Sequence, residues 1–116
     1  GGVATYIPAL ARADPELWGV SVCSVDGQQH STGDTTAPFS VQSTSKPITY
    51  CMALELHGEQ EVHNHVGNEP SGRNFNETVL KQPEGIPHNP CINAGAIMTS
   101  SFVRMQDQAW DRVDYV

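Results

Sequence analysis

Apolar and polar positions along the chain fall into short stretches of distinct rhythm. Val3, Tyr6, Ile7 and Leu10 recur at helical spacing, which predicts a helical turn whose regularity Pro8 limits. Asp14-Pro15 then breaks the pattern. Residues 18–25 alternate large apolar with small side chains, from Trp18 through Val20 and Val22 to Val25, as a strand does. Asp26-Gly27 follows, then a second short run over 28–32, so a β-hairpin is expected. Residues 33–40 read as loop. A helix is predicted to start within 43–46, to run through Ile48, Met52, Leu54 and Leu56, and to stop at Gly58. Residues 67–72 have turn chemistry, and 81–90 carry three prolines and a glycine, so that stretch is irregular. Asn93-Ala94-Gly95-Ala96 opens another helix, expected to continue through Phe102, Val103 and Met105 toward Trp110 and Val113. No repeat, low-complexity tract or linker interrupts the chain. It starts Gly1-Gly2 without Met and ends at Val116 without a helix stop signal, the pattern expected of a cut chain.

Composition narrows the classes. A length of 116 residues suits one ordinary domain or part of a larger one. Hydrophobic residues at 38% can form a core, and 16% charge is too little for a disordered chain. A net charge of −7 with six Lys+Arg speaks against gripping a phosphate backbone, so no nucleic-acid partner is expected. No apolar run approaches the ~18 residues of a membrane span, and no signal-peptide pattern opens the chain, so no membrane partner is expected. Cys23, Cys51 and Cys91 are odd in number and lack metal spacing. They read as reduced thiols of a reducing compartment, small and buried rather than nucleophilic.

Three constellations could carry chemistry. Ser43-Thr44-Ser45-Lys46 is an S-x-x-K at a helix start, where residues three apart share a face. A serine hydroxyl needs a base to become a nucleophile, and a neutral lysine amine can be that base. The helix N-terminus adds N–H groups where an oxyanion would form. With nine serines and two lysines, roughly one such chain in six would carry the motif by accident, and the ordinary reading makes Ser43 a helix cap. The histidines are the second set. His63 and His65, read as one strand face, could pair on a metal, but no third ligand stands at recognisable spacing, so no metal site is expected. The third is 88–96, where Asn93 is either a helix cap or an amide that holds a polar substrate. Tyr6 reads first as a core residue.

Taken together, the blocks Val3-Ala4-Thr5-Tyr6-Ile7-Pro8, Asp14-Pro15-Glu16-Leu17-Trp18-Gly19, Val25-Asp26-Gly27-Gln28, His30-Ser31-Thr32-Gly33-Asp34, Gln42-Ser43-Thr44-Ser45-Lys46-Pro47, Glu69-Pro70-Ser71-Gly72 and His88-Asn89-Pro90 with Asn93-Ala94-Gly95-Ala96-Ile97 resemble the serine-dependent, β-lactamase-like glutaminases, nearest the animal kidney/liver type. The resemblance implies an α/β, β-lactamase/penicillin-binding-like fold: a mostly antiparallel sheet with helices, of which 1–116 is the N-terminal portion of a single catalytic domain. It implies hydrolysis of L-glutamine to L-glutamate and ammonia, with Ser43 as nucleophile and Lys46 as general base. Tyr6, Gln42, Ser43 and Asn93 match the family's substrate-contacting positions. No cofactor is implied. The animal branch adds inorganic phosphate as activator, a homo-tetramer and a mitochondrial location, with the cytoplasm as alternative.

Two other readings stand beside this one. Penicillin-binding and β-lactamase proteins share S-x-x-K but add S-D-N and K-T-G, and neither tripeptide occurs here. The family domain is more than twice this length, and further substrate contacts and the second oxyanion donor would lie past Val116. A non-catalytic chain acting through association is therefore the other reading, and the piece alone is expected to be inactive.

Overall fold

The structure is a computed structural model and describes residues 2–103. The chain divides into two compact units, Gly1–Val41 and Gln42–Val116. Antiparallel strands and helices are both present, the α/β class that the sequence implies.

In the first unit the helical spacing near the N-terminus yields only a 3-10 turn, Leu10–Arg12. Ile7 O accepts from Leu10 N at 3.0 Å and Ala11 N at 3.2 Å, and the chain is extended again at Ala13. Pro8 has no N–H to give, and Asp14-Pro15 follows before a longer ladder could form. The expected hairpin is present. β1 (Gly19–Cys23) pairs antiparallel with β2 (Gln29–Gly33), in the register Gly19↔Gly33, Ser21↔Ser31 and Cys23↔Gln29. Gly27 takes φ 87°, and its N–H closes the turn on Ser24 O at 3.0 Å, while Ser24 N donates to Gln28 O at 2.9 Å. That is the loop chemistry Asp-Gly supplies, because glycine enters the left-handed region without penalty. At the other end Gly33, at φ 78°, has no room for a side chain: a Cβ would lie 2.2 Å from Trp18 O. Asp34 fastens this end, its N–H donating to Trp18 O at 2.7 Å and its Oδ2 accepting from Trp18 N at 3.0 Å. None of residues 2–41 is buried. Tyr6, read from sequence as a core residue, is 73% exposed.

The second unit holds α1 (Lys46–His57), α2 (Glu59–His63) and α3 (Asn93–Phe102). α1 begins with Pro47 in its first turn, where a missing N–H leaves no intrahelical bond unmade, and ends at Gly58, φ 79°. The short α2 has no counterpart in the sequence reading, which took His63 and His65 as one strand face. Val62 in α2 and Val66 just beyond its end are both fully buried. They join Ala53 and Phe102 in a core that Tyr50, Leu54 and Met98 flank. His63 and His65 therefore do not share a strand face. His63 Nδ1 donates to Val66 O at 2.9 Å, which leaves Nε2 to accept from Tyr50 Oη at 2.9 Å. Burial, then the charges of Glu59, Cys51 and Cys91, push the Tyr50 hydroxyl above its ordinary pKa. His57 Nε2 donates to Phe102 O at 2.8 Å and ties the C-terminal ends of α1 and α3 together. α3 stops at Phe102, with Val103 extended at ψ 117°. The expected helical continuation through Met105 toward Trp110 and Val113 lies outside the described residues. The cysteines are a correction too: Cys23, Cys51 and Cys91 are free thiols but all exposed, because each stands on a face that nothing among the described residues covers.

Candidate functional site

Ser43 sits in a 3-10 turn, Gln42–Ser45, that runs directly into α1. Gln42, just before it, has φ 43°, the left-handed region that a side chain with a Cβ enters at a cost. Such a residue is held there by its surroundings. The turn is held by Ser45 Oγ, which donates to Gln42 O at 2.7 Å, and by Thr49 Oγ1, which donates to Ser45 O at 3.1 Å. Ser43 is not the helix cap: that position is Ser45, and no side chain caps it.

Lys46, the first residue of α1, reaches across to the start of α3. Its Nζ donates to Asn93 Oδ1 at 2.7 Å and to Cys91 O at 3.0 Å. Nζ also stands 5.8 Å from the centre of the Phe75 ring. Both oxygens are neutral, and among the described residues no carboxylate pairs with Lys46. Asn93 is the first residue of α3 and does not cap it, for the cap position is Ile92. No side chain caps α3; Asn89 closes the turn before it, its Oδ1 accepting from Cys91 N at 3.0 Å and Ile92 N at 3.1 Å. Asn93 N donates to Phe75 O at 2.8 Å, so the loop that carries the ring also anchors the start of α3. The Asn93 side chain is thereby free of a local backbone role and turns to Lys46.

Gln42, Ser43, Lys46 and Thr49 form one wall of an open cleft of ≈ 440 Å³. Asn93, Ala96, Ile97 and Ser100 form the other. The second wall is one face of α3, at spacings of three, four and seven. Four of the five residues singled out from sequence are therefore gathered here, although no hydrogen bond joins Ser43 to Lys46. The fifth, Tyr6, belongs to the first unit. A cavity of ≈ 380 Å³ in that unit, beside Trp18 and Phe39, holds no nucleophile with a base, and its Asp34 carboxylate accepts from the backbone. The sequence reading missed Phe75, the Cys91 carbonyl and the α3 face beyond Asn93. Only the last carried a signal, the i+3 and i+4 periodicity from Asn93. Among the described residues no group of three His, Cys, Asp or Glu side chains is placed to hold a metal.

The chain is similar throughout its length to known proteins. The sequence model of the Glutaminase family matches residues 1–116. The mitochondrial liver isoform of glutaminase from Rattus norvegicus is 51% identical over 116 residues, all of this chain and 19% of the rat protein. A glutaminase from Aeromonas hydrophila is 47% identical over 104 residues, 89% of this chain and 34% of the bacterial protein. A crystal structure described as Mglu in its tris and glutamate form superposes with a TM-score of 0.86 at 40% identity, covering 98% of this chain and 26% of that one. The chain thus spans about a fifth to a third of the relatives it matches. Matched from its first residue to its last, and in sequence as well as backbone, it belongs to the glutaminase family.

Proposed function

We propose that this chain carries the nucleophile and the base of a glutaminase, hydrolysing the side-chain amide of L-glutamine to L-glutamate and ammonia. The observation that carries the proposal is the bonding of Lys46. A neutral amine has two N–H bonds and one lone pair. Lys46 Nζ donates to Asn93 Oδ1 and Cys91 O, and Lys46 lines the same cleft as Ser43. In the amine form the base needs, these two bonds use both N–H groups and the lone pair is kept for the proton of Ser43. Ser43 Oγ attacks the γ-carboxamide carbon as its proton passes to Lys46. The resulting oxyanion collapses, the C–N bond breaks, and Lys46 returns the proton to the departing ammonia. Water then attacks the glutamyl ester, Lys46 again takes and returns a proton, and Ser43 is released. The Ser43 N–H supplies one oxyanion donor. Gln42, Asn93 and Tyr6 contact the substrate. No cofactor takes part, and phosphate acts as an activator.

We further propose that residues 1–116 are the N-terminal portion of one catalytic domain and are inactive alone. The share of each relative that the chain spans supports this. The complete protein is read as a homo-tetramer in mitochondria, on the strength of the mitochondrial liver isoforms among its relatives; bacterial relatives of similar identity keep the cytoplasm as the alternative. In a complete catalytic domain containing this chain, Ser43→Ala is expected to abolish ammonia release while glutamine still binds. Mass spectrometry of the parent after rapid acid quench should find the glutamyl ester on the peptide containing Ser43. Turnover in Ser43→Ala within about tenfold of the parent would rule Ser43 out as nucleophile.

A further inference from the structure

Lys46 is aimed by two oxygens, and one is a backbone carbonyl. A backbone carbonyl cannot be chosen by mutation; it is aimed only by what fixes its peptide. We infer that Asn89 is the positioning residue for Lys46, fixing the Cys91 carbonyl and the start of α3 as one rigid piece. The inference rests on the reading of Lys46 as the base.

Three observations carry it. First, the Asn89 side chain is used at both ends. Its Oδ1 accepts from Cys91 N at 3.0 Å and Ile92 N at 3.1 Å, and its Nδ2 donates to Glu69 O at 2.9 Å. The Cys91 carbonyl is bracketed: the N–H groups of its own residue and the next are both held by one oxygen. Second, Glu69 is itself held to the same strip of chain, since Glu69 N donates to His88 O at 3.0 Å and Gly67 N to Pro87 O at 2.8 Å. The amide of Asn89 is therefore braced against a segment that cannot slide. Third, the carbonyl of Asn89 lies hard against α3. A Cβ on Gly95 would stand 1.8 Å from Asn89 O and 2.9 Å from Pro90 Cα, so only glycine permits this approach. Side chain and backbone of residue 89 together set where α3 begins and where the Cys91 oxygen points, and Lys46 Nζ bonds to both products of that arrangement, Cys91 O and Asn93 Oδ1.

The role predicts a particular kinetic signature. Losing the brace lets the Cys91 carbonyl drift, while Asn93 keeps its own anchor, the bond from Asn93 N to Phe75 O at 2.8 Å. A shift of about 1 Å in a catalytic group can lower turnover ~10²-fold. In a complete catalytic domain, Asn89→Ala should lower kcat about 10²-fold with KM within about threefold of the parent. Asn89→Asp keeps an oxygen for the two N–H groups but sets a second, charged oxygen against Glu69 O in place of the donor, so it should recover kcat only in part, to within about tenfold of the parent. Amide hydrogen exchange on the same proteins reads the brace without reference to turnover: Cys91 and Ile92 N–H should lose protection in Asn89→Ala and keep it in Asn89→Asp. If Asn89→Ala does not fold, Asn89→Ser takes its place and should still lower kcat by at least about tenfold at near-parent KM. Parent-like kcat in Asn89→Ala or its substitute, a loss confined to KM, or an equal kcat loss in Asn89→Asp with protection restored would each overturn the inference. Retained turnover in Ser43→Ala or Lys46→Ala would instead overturn the reading of the site, and the exchange pattern would still report on the brace.

Discussion

The two units differ in what they do with apolar residues. The hairpin unit carries Trp18, Val20, Val22, Val25 and Phe39, all well exposed, with Val25 as open as a side chain can be. The helical unit buries Val62 and Val66 completely and closes Phe102 between His57 and His65, at ring separations of 5.2 and 5.5 Å. Hydrogen bonds along the chain hold the hairpin: the turn at Gly27, the cross-strand Ser21–Ser31 pair at 2.8 Å and the Asp34 clasp on Trp18. Burial holds the helices. The cleft lies on the buried-core side of this contrast, where α1 and α3 are packed and tied and can hold a lysine against an asparagine 47 residues away. A site made from distant segments needs a framework that does not shift, and a two-stranded hairpin does not supply one.

The largest effect is expected at that cleft. Arginine in place of Lys46 would keep the charge and reach but could not act as a base, because guanidinium stays protonated at working pH. In a complete catalytic domain, Lys46→Arg should therefore lower kcat nearly as far as Lys46→Ala, by about 10²–10⁴-fold. Substantial activity in Lys46→Arg would make Lys46 an electrostatic aid rather than a base. Next in size is the core. Phe102→Ala should destabilise the helical unit by about 3–5 kcal/mol in denaturant unfolding, through lost burial and the cavity left behind. On the hairpin side Val22→Thr, at a side chain 61% exposed, should change stability by no more than about 0.5 kcal/mol. Should Val22→Thr cost as much as Phe102→Ala, the contrast fails and the hairpin face is covered in solution.

What was legible in the sequence follows the same division. Asp26-Gly27 announced the hairpin because the turn is a local event, set by one glycine that can take a positive φ. Gly58 ended α1 for the same reason. The polar run after it hid α2, since two valines four apart look unremarkable until Ala53 and Phe102 arrive from elsewhere to cover them. Exposure of the cysteines and of Tyr6 was misread for the converse reason: burial depends on partners that no local pattern names. Ser43, Lys46, Gln42 and Asn93, which line one cleft, could be singled out because each is a side chain with recognisable chemistry in a recognisable block. Phe75 and the Cys91 carbonyl were not, because a ring edge and a backbone oxygen acquire a role only when the path of the chain brings them to Nζ. The capping role expected of Ser43 and Asn93 falls to neither: the cap positions are Ser45 and Ile92, and no side chain caps either helix.

The smallest effect expected is in the hairpin turn, and it tests whether hydrogen bonds alone hold that unit. The Asp26 carboxylate accepts from Ser24 Oγ and, at 2.8 Å, from Gln28 Nε2. The Ser24 bond, then the Gln28 bond and its own backbone N–H, hold its pKa below the ordinary 3.8, against a small desolvation by its neighbours. A group whose pKa is lower folded than unfolded adds stability above the unfolded value, and that stability is lost as pH falls through the folded one. The turn should therefore be unaffected by pH above ordinary carboxylate values and loosen on acidification below them. Asp26 is fully exposed, so solvent keeps the effect small, and it should be sought in local signals rather than in global unfolding. Amide chemical shifts of Gly27 and Gln28, followed by NMR from pH 6 to 2, should move together with a midpoint below 3.8. In Asp26→Asn, which still accepts one bond but does not titrate, the movement should vanish. A wild-type turn that stays unchanged to pH 2 would mean that backbone closure at Gly27 holds the loop without the carboxylate. The turn, though not the ladder or the Asp34 clasp, would then owe its geometry to Gly27 and its backbone bonds.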